Sequence, residues 1–227
     1  MRLKLWSLQR TSQKVKTKSK ALWSRLTSDT AFRLLVTASF STGCNFLYGL
    51  FYAVLGVIYQ SPWHITLFVY YILLALMRFS VISAQNNPNK NYMKHHAVAM
   101  VFLAIAMSGI VCLSIAENRT VVYHSIIIIT IATYTFYQTT ISMINIIKAH
   151  KIKNPKLIIL RNISVASCVG SMFSLECSML GTFGDIRTSF ARTMEIISGA
   201  FAVGIILFLG FSVIKFKKSK KDGETVE

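Results

Sequence analysis

The sequence predicts an all-α fold, a polytopic transmembrane helix bundle of six spans with both termini cytoplasmic. The first observation behind this is where charge is missing. Twenty-five Lys and Arg are spread over 227 residues, yet the stretches 34–59, 65–77, 97–116, 121–147 and 196–214 hold no Asp, Glu, Lys or Arg. A sixth stretch, 157–180, holds only Arg161 and Glu176. Each is as long as a bilayer span, or becomes one once a flanking residue that can snorkel is added. The second observation is composition: 53 % hydrophobic and 15 % charged residues leave too little polar surface for a soluble domain of this size. In hydrocarbon every backbone group must be satisfied internally, which leaves helices or a closed barrel. Continuous apolar runs near twenty residues, rather than alternation over about ten, select helices.

The spans follow in order. Residues 1–33 form a basic segment, and the first thirty residues lack an apolar core of signal-peptide length, so the first apolar stretch is expected to act as a signal anchor. The Ser28, Asp29, Thr30 cluster caps the first span, about 34–59. A turn over 60–64 leads to the second span, about 65–83, followed by a connection with Asn86, Asn87, Pro88, Lys90, Lys94, His95 and His96. The third span covers about 97–116, and Glu117 to Thr120 turns into the fourth, about 121–147. Lys148, Lys151, Lys153 and Lys156 surround Pro155 before the fifth span, about 157–180. Residues 181–192 form the longest outer connection, the sixth span runs about 193–214, and 215–227 is a basic tail. The domain reading is therefore a basic segment 1–33, a transmembrane domain 34–214 and a tail 215–227.

Alternate connections differ sharply in charge. The inner side collects nine Lys/Arg in the first segment, three between spans two and three, five between spans four and five, and five in the tail. The outer side has only Arg119, Arg187 and Arg192, a split of 22 to 3 that by the positive-inside rule puts both ends in the cytoplasm. The net charge of +17 is thus a topology signal rather than a nucleic-acid footprint. Lys14, Lys16, Lys18, Lys20, Lys217 and Lys218 are expected to lie against anionic lipid, each contributing about 1 kcal/mol. A homo-oligomer or a membrane protein is the expected protein partner, and nucleic acid is not.

A few polar residues inside the spans are candidates for function. On a helical wheel Ser164, Ser167, Cys168, Ser171, Ser174 and Ser178 share an arc of about 120°. Such a stripe either lets helices pack closely or walls a polar pathway. Thr130, Tyr134, Gln138, Ser142 and Asn145 give the fourth span a polar face. Asn45 sits deep in the first span, where an amide must find a partner. Glu176, the acid best embedded in a span, is either a pathway residue or half of an outer ion pair with Arg187 or Arg192, with Asp185 and Glu195 close in topology. Arg78 and Arg161 are expected to snorkel toward the cytoplasmic side. His64 and His124 are expected to be interfacial anchors. The cysteines Cys44, Cys112, Cys168 and Cys177 all fall in spans without metal spacing and are read as packing residues, with Cys112 and Cys177 at similar depth.

The sequence holds no His-Glu-x-x-His, no paired acids on a helix, no nucleophile elbow and no phosphate-binding loop. No metal, cofactor or catalytic residue is expected, and any energy source would be a partner or an ion gradient. The stretch Asn45 to Tyr59 (NFLYGLFYAVLGVIY), with Trp63, Tyr70, Tyr71, Arg78 and Phe79, resembles multi-span membrane proteins of Gram-positive bacteria, as does Ser178 to Gly184 (SMLGTFG). That resemblance implies a bacterial cytoplasmic membrane and no particular activity. In size and span number the chain is also similar to substrate-binding subunits of energy-coupling-factor transporters, without a shared binding motif. The expected function is a small-solute transporter or solute-binding membrane subunit, whose ligand or pathway residues would be Glu176, Asn45, Gln138, Ser164, Ser167 and Ser171. The alternative is a non-transporting assembly or stress-response partner.

Overall fold

The computed structural model describes residues 30–83, 92–116, 123–151, 155–183 and 189–223. These residues are all-helical apart from short connections: α1 (Thr30–Tyr59), α2 (Pro62–Ser83), α3 (Tyr92–Ala116), α4 (Ser125–Lys151), α5 (Pro155–Phe183) and α6 (Ser189–Gly223). Each contains a stretch of 22–27 residues long and apolar enough to cross a membrane. The chain is an integral, multi-pass membrane protein, and its fold class is the one its charge-free stretches imply.

The helices extend past those stretches. The second helix starts at Pro62, three residues ahead of the expected 65, because proline is preorganised for the first helical turn. Gln60, with φ 47°, takes the left-handed conformation that ends α1 just before it. His95 and His96, expected in a connection, belong to α3, and His96 is buried. At the other end α6 continues to Gly223, so the boundary expected at 214 falls inside a helix.

The chain divides into two compact units, residues 1–41 and 42–227. Of the first, the described part is the opening stretch of α1. In the second, α5 is the central helix: 61 % of its span is buried, against 28–44 % for the others. It packs against α2, α3, α4 and α6, while α3 and α6 make another close pair. Glycines set two of these approaches. A Cβ at Gly199 would lie 2.6 Å from a methyl of Val111, so α6 can reach α3 only without a side chain there. A Cβ at Gly170 would lie 2.5 Å from the ring of Tyr70, which brings α2 onto α5. At Gly43 on α1 a Cβ would meet nothing within 4 Å.

The outward faces are apolar, as lipid requires. Phe136, Phe201, Phe208 and Phe211 are all more than two-thirds exposed. Ile126 and Ile129 also face outward, whereas Ile128 turns into the bundle. The interior is the more polar side of this protein, which reverses the arrangement of a soluble domain.

Candidate functional site

The serine face of α5 organises the interior. Ser164, Ser167, Ser171, Ser174 and Ser178 alternate at spacings of three and four, and all are at most 1 % exposed. Over 14 residues the seam runs about 21 Å along the helix. Its members differ in what they hold. Ser171 donates to the Cys168 carbonyl and Ser178 to the Ser174 carbonyl, bonds within their own helix. Ser164, Ser167 and Ser174 instead reach other helices.

At Ser167 three helices meet through uncharged polar groups. The Asn45 Oδ1 on α1 accepts from Tyr134 Oη on α4 at 2.6 Å, from Ser167 Oγ at 3.2 Å and from Gln138 Nε2. Gln138 Nε2 also donates to the Tyr134 hydroxyl at 2.5 Å. Tyr134 and Gln138 are four apart on α4 and so share a face. Asn45 and Gln138 are fully enclosed by protein. The oxygen of Asn45 thus serves three donors with two lone pairs, while its own Nδ2 and the Oε1 of Gln138 have no hydrogen-bond partner among the described residues.

Tyrosines surround this cluster. Asn45, Tyr48 and Tyr52 lie along one face of α1 by their three- and four-residue spacing. Tyr48 stacks on Tyr134 with ring centroids 3.5 Å apart, and Tyr71 of α2 meets Tyr48 edge-on at 4.8 Å. The hydroxyls of Tyr48 and Tyr52 are 3.1 Å apart, and Tyr52 hydrogen-bonds Ser174. The Tyr71 hydroxyl is buried with no hydrogen-bond partner among the described residues.

One turn along α5 lies a cation. Arg78 is only 2 % exposed, and its Nη2 donates to Ser164 Oγ at 3.3 Å. The same Oγ accepts from Asn145 Nδ2 at 2.7 Å and donates to the Leu160 carbonyl at 2.9 Å. This corrects the expectation that Arg78 snorkels outward: on α2 it shares a face with Leu67, Tyr71 and Leu74, all buried, so its guanidinium points into the bundle. Arg161 is half-buried and donates to Asn162 at 3.1 and 3.2 Å.

The candidate residues therefore fall into separate groups. Asn45, Gln138 and Ser167 come together, Ser164 one turn away on α5 holds Arg78 and Asn145, and Ser171 follows on the same seam. Glu176 stands apart, nine residues or about 14 Å beyond Ser167 on α5. It is half-buried and makes no hydrogen bond or ion pair among the described residues. Of its two expected partners Arg187 lies outside the described residues, and Arg192 is exposed with its Nη2 reaching the Ile115 carbonyl at 3.5 Å instead. Glu195 is half-buried on α6. Asp185, Arg187, Lys14, Lys16, Lys18 and Lys20 lie outside the described residues. Lys217 and Lys218 fall on the last turns of α6, with side chains outside the described part.

At the opposite end of α2 from Arg78, His64 departs from its expected role as an interfacial anchor. It is completely enclosed and pairs through Nε2 with Tyr123 Oη at 2.9 Å. The Tyr123 amide donates to Thr182 Oγ1 at 3.2 Å, so this end of the bundle is tied across α2, the connection just before α4, and α5. The four cysteines are free thiols. Cys177 lies 3.4 Å from Ser114 Oγ and Cys112 faces outward, so the two do not bond.

Tyr48, Tyr52 and Tyr71 are the site residues that charge and polarity alone do not single out. The usable signal was their helical spacing from Asn45 and Arg78. No family model, curated protein or solved structure matches the chain.

Proposed function

We propose that the chain is a small-solute transporter, or the solute-binding membrane subunit of one, in a bacterial cytoplasmic membrane. The observation that supports this reading is the polar cluster of Asn45, Tyr134, Gln138 and Ser167. Its Asn45, Gln138 and Ser167 are fully enclosed and its Tyr134 half-buried; it spans three helices and keeps hydrogen-bonding capacity to spare among the described residues. A bundle held only by interhelical hydrogen bonds would do better to use that capacity, since an idle buried amide group costs about 1–3 kcal/mol. The arrangement offers hydrogen bonds, aromatic faces and one nearby cation. It offers no nucleophile with a base beside it, so binding rather than chemistry is the reading.

The test is a screen of neutral, anionic and cationic small solutes against the protein in lipid nanodiscs, read by thermal unfolding. A solute at a hundred times its Kd stabilises the native state by about 2.7 kcal/mol. At least one class should raise the unfolding temperature. No shift from any class would sink the reading and leave the assembly partner in its place.

The proposed orientation puts both ends on the cytoplasmic side, supported by the 22-to-3 charge split. In a cysteine-free background, single cysteines after Gln60, Arg119 and Arg187 should react with an impermeant reagent from outside intact cells. Protection at any of the three would overturn the orientation.

A further inference from the structure

Resting on the proposal that the bundle binds a solute, we infer what that solute is. It is small and uncharged, and it presents an amide-type edge, a carbonyl oxygen beside an N–H, to Asn45 and Gln138. Asn45 and Gln138 bring two side-chain amides together. They are joined by one hydrogen bond, which leaves Asn45 Nδ2 as a donor and Gln138 Oε1 as an acceptor. Turning Asn45 over alone would set two amide nitrogens against each other. Turning both over leaves the Asn45 oxygen and the Gln138 nitrogen instead. In either arrangement one amide donor and one amide acceptor remain, on side chains that are completely buried.

A single ligand group that satisfies both must offer an acceptor and a donor side by side. Carboxamides, lactams and ureides do so. A carboxylate offers only acceptors, an ammonium only donors, and a ketone only an acceptor. Charge points the same way. Asn45, Tyr134, Gln138, Ser167 and Tyr71 are all uncharged, so an ion would be desolvated against groups without counter-charge. The guanidinium of Arg78, held one turn away through Ser164, weighs further against a cation. The rings of Tyr48, Tyr71 and Tyr134 pack on one another beside the amides, an aromatic surround suited to a flat solute, and the Tyr71 hydroxyl, with no hydrogen-bond partner among the described residues, can either donate or accept.

The experiment measures equilibrium binding of four probes of one size to the protein in nanodiscs: benzamide, acetophenone, benzoate and benzylamine. Benzamide should bind about tenfold tighter than the other three, the order expected for one buried hydrogen bond. Two mild variants then locate the site. Gln138→Met leaves Tyr134 and Ser167 on the Asn45 oxygen, and Tyr71→Phe removes only a hydroxyl that has no hydrogen-bond partner among the described residues. Each should weaken benzamide about tenfold. Tyr71→Phe should also raise the unfolding temperature of the ligand-free protein, because an idle buried hydroxyl is lost. Higher stability with weaker binding is an outcome that a packing role does not produce. Equal or tighter binding of benzoate, benzylamine or acetophenone would overturn the ligand class and leave solute binding standing. Wild-type affinity for benzamide in both variants would also overturn it, by placing the site elsewhere. Failure of all four probes overturns the class, and only an empty result in the broad solute screen removes the binding reading as well.

Discussion

Gly170→Ala is expected to destabilise the bundle by about 1–3 kcal/mol, although alanine is the better helix former by about 1 kcal/mol. The added methyl would lie 2.5 Å from Tyr70 Cε1 and 2.9 Å from both Cζ and Oη. Those atoms belong to a ring that is completely enclosed and tethered, its hydroxyl donating to the Ala166 carbonyl at 2.8 Å. Relief requires α2 and α5 to separate or the tether to break, and either costs more than the propensity returns. Gly204→Ala is the control, since nothing lies within 4 Å of its would-be Cβ and only the propensity gain applies. Unfolding in detergent should show opposite signs for the two variants. Tyr70→Leu should suppress the Gly170→Ala penalty when compared with Tyr70→Leu alone, because the steric partner has gone. Equal stability of Gly170→Ala and wild type would mean that α2 and α5 do not meet at this point.

The second large effect is expected at Asn45. One oxygen there satisfies Tyr134, Gln138 and Ser167, so Asn45→Leu takes that acceptor from all three donors, and only Gln138 keeps another, the Tyr134 hydroxyl. Interhelical hydrogen bonds in membrane proteins average about 0.6 kcal/mol each, which sets a floor of about 2 kcal/mol for the three. The cost of idle polar groups in a closed interior raises the expected loss to about 2–4 kcal/mol. Serines on the same seam calibrate it. Ser171→Ala and Ser178→Ala remove bonds made only to their own helix and should cost little. Ser167→Ala and Ser174→Ala cut links to α1 and should fall between. If Asn45→Leu proved no more harmful than Ser178→Ala, the cluster would not hold α1 to α4 and α5.

Much of this arrangement is legible before any coordinates. Five stretches without charge and a sixth with only Arg161 and Glu176 locate the six helices because a charge in hydrocarbon is costly at any position, so the signal is local and additive. The serine arc of α5 and the polar face of α4 are equally local, since a helix converts spacing directly into a shared face. What stays hidden is which face meets which neighbour. Arg78 illustrates this, because an arginine near a span end can snorkel or turn inward with the same sequence around it, and only the packing of α2 against α5 decides. The tyrosines were concealed for a related reason: an aromatic ring suits lipid, interface and core alike, so Tyr48 and Tyr71 carry no polarity signal of their own. Glu176 drew attention because its cost can be judged from depth alone. The amide cluster, whose importance lies in who bonds whom, shows only when three helices are placed together.

The claim at the centre of this reading is that the enclosed amide cluster holds a small solute. Native mass spectrometry of the protein released intact from its membrane reads that occupancy directly. Wild type should carry a small-molecule adduct, or take one up stoichiometrically from a solute that raises its unfolding temperature. Gln138→Met, folded to the same extent, should lose most of the adduct. Wild type that flies without an adduct, both as isolated and after exposure to every solute class, would contradict the claim and reduce Asn45, Tyr134, Gln138 and Ser167 to a structural lock between helices.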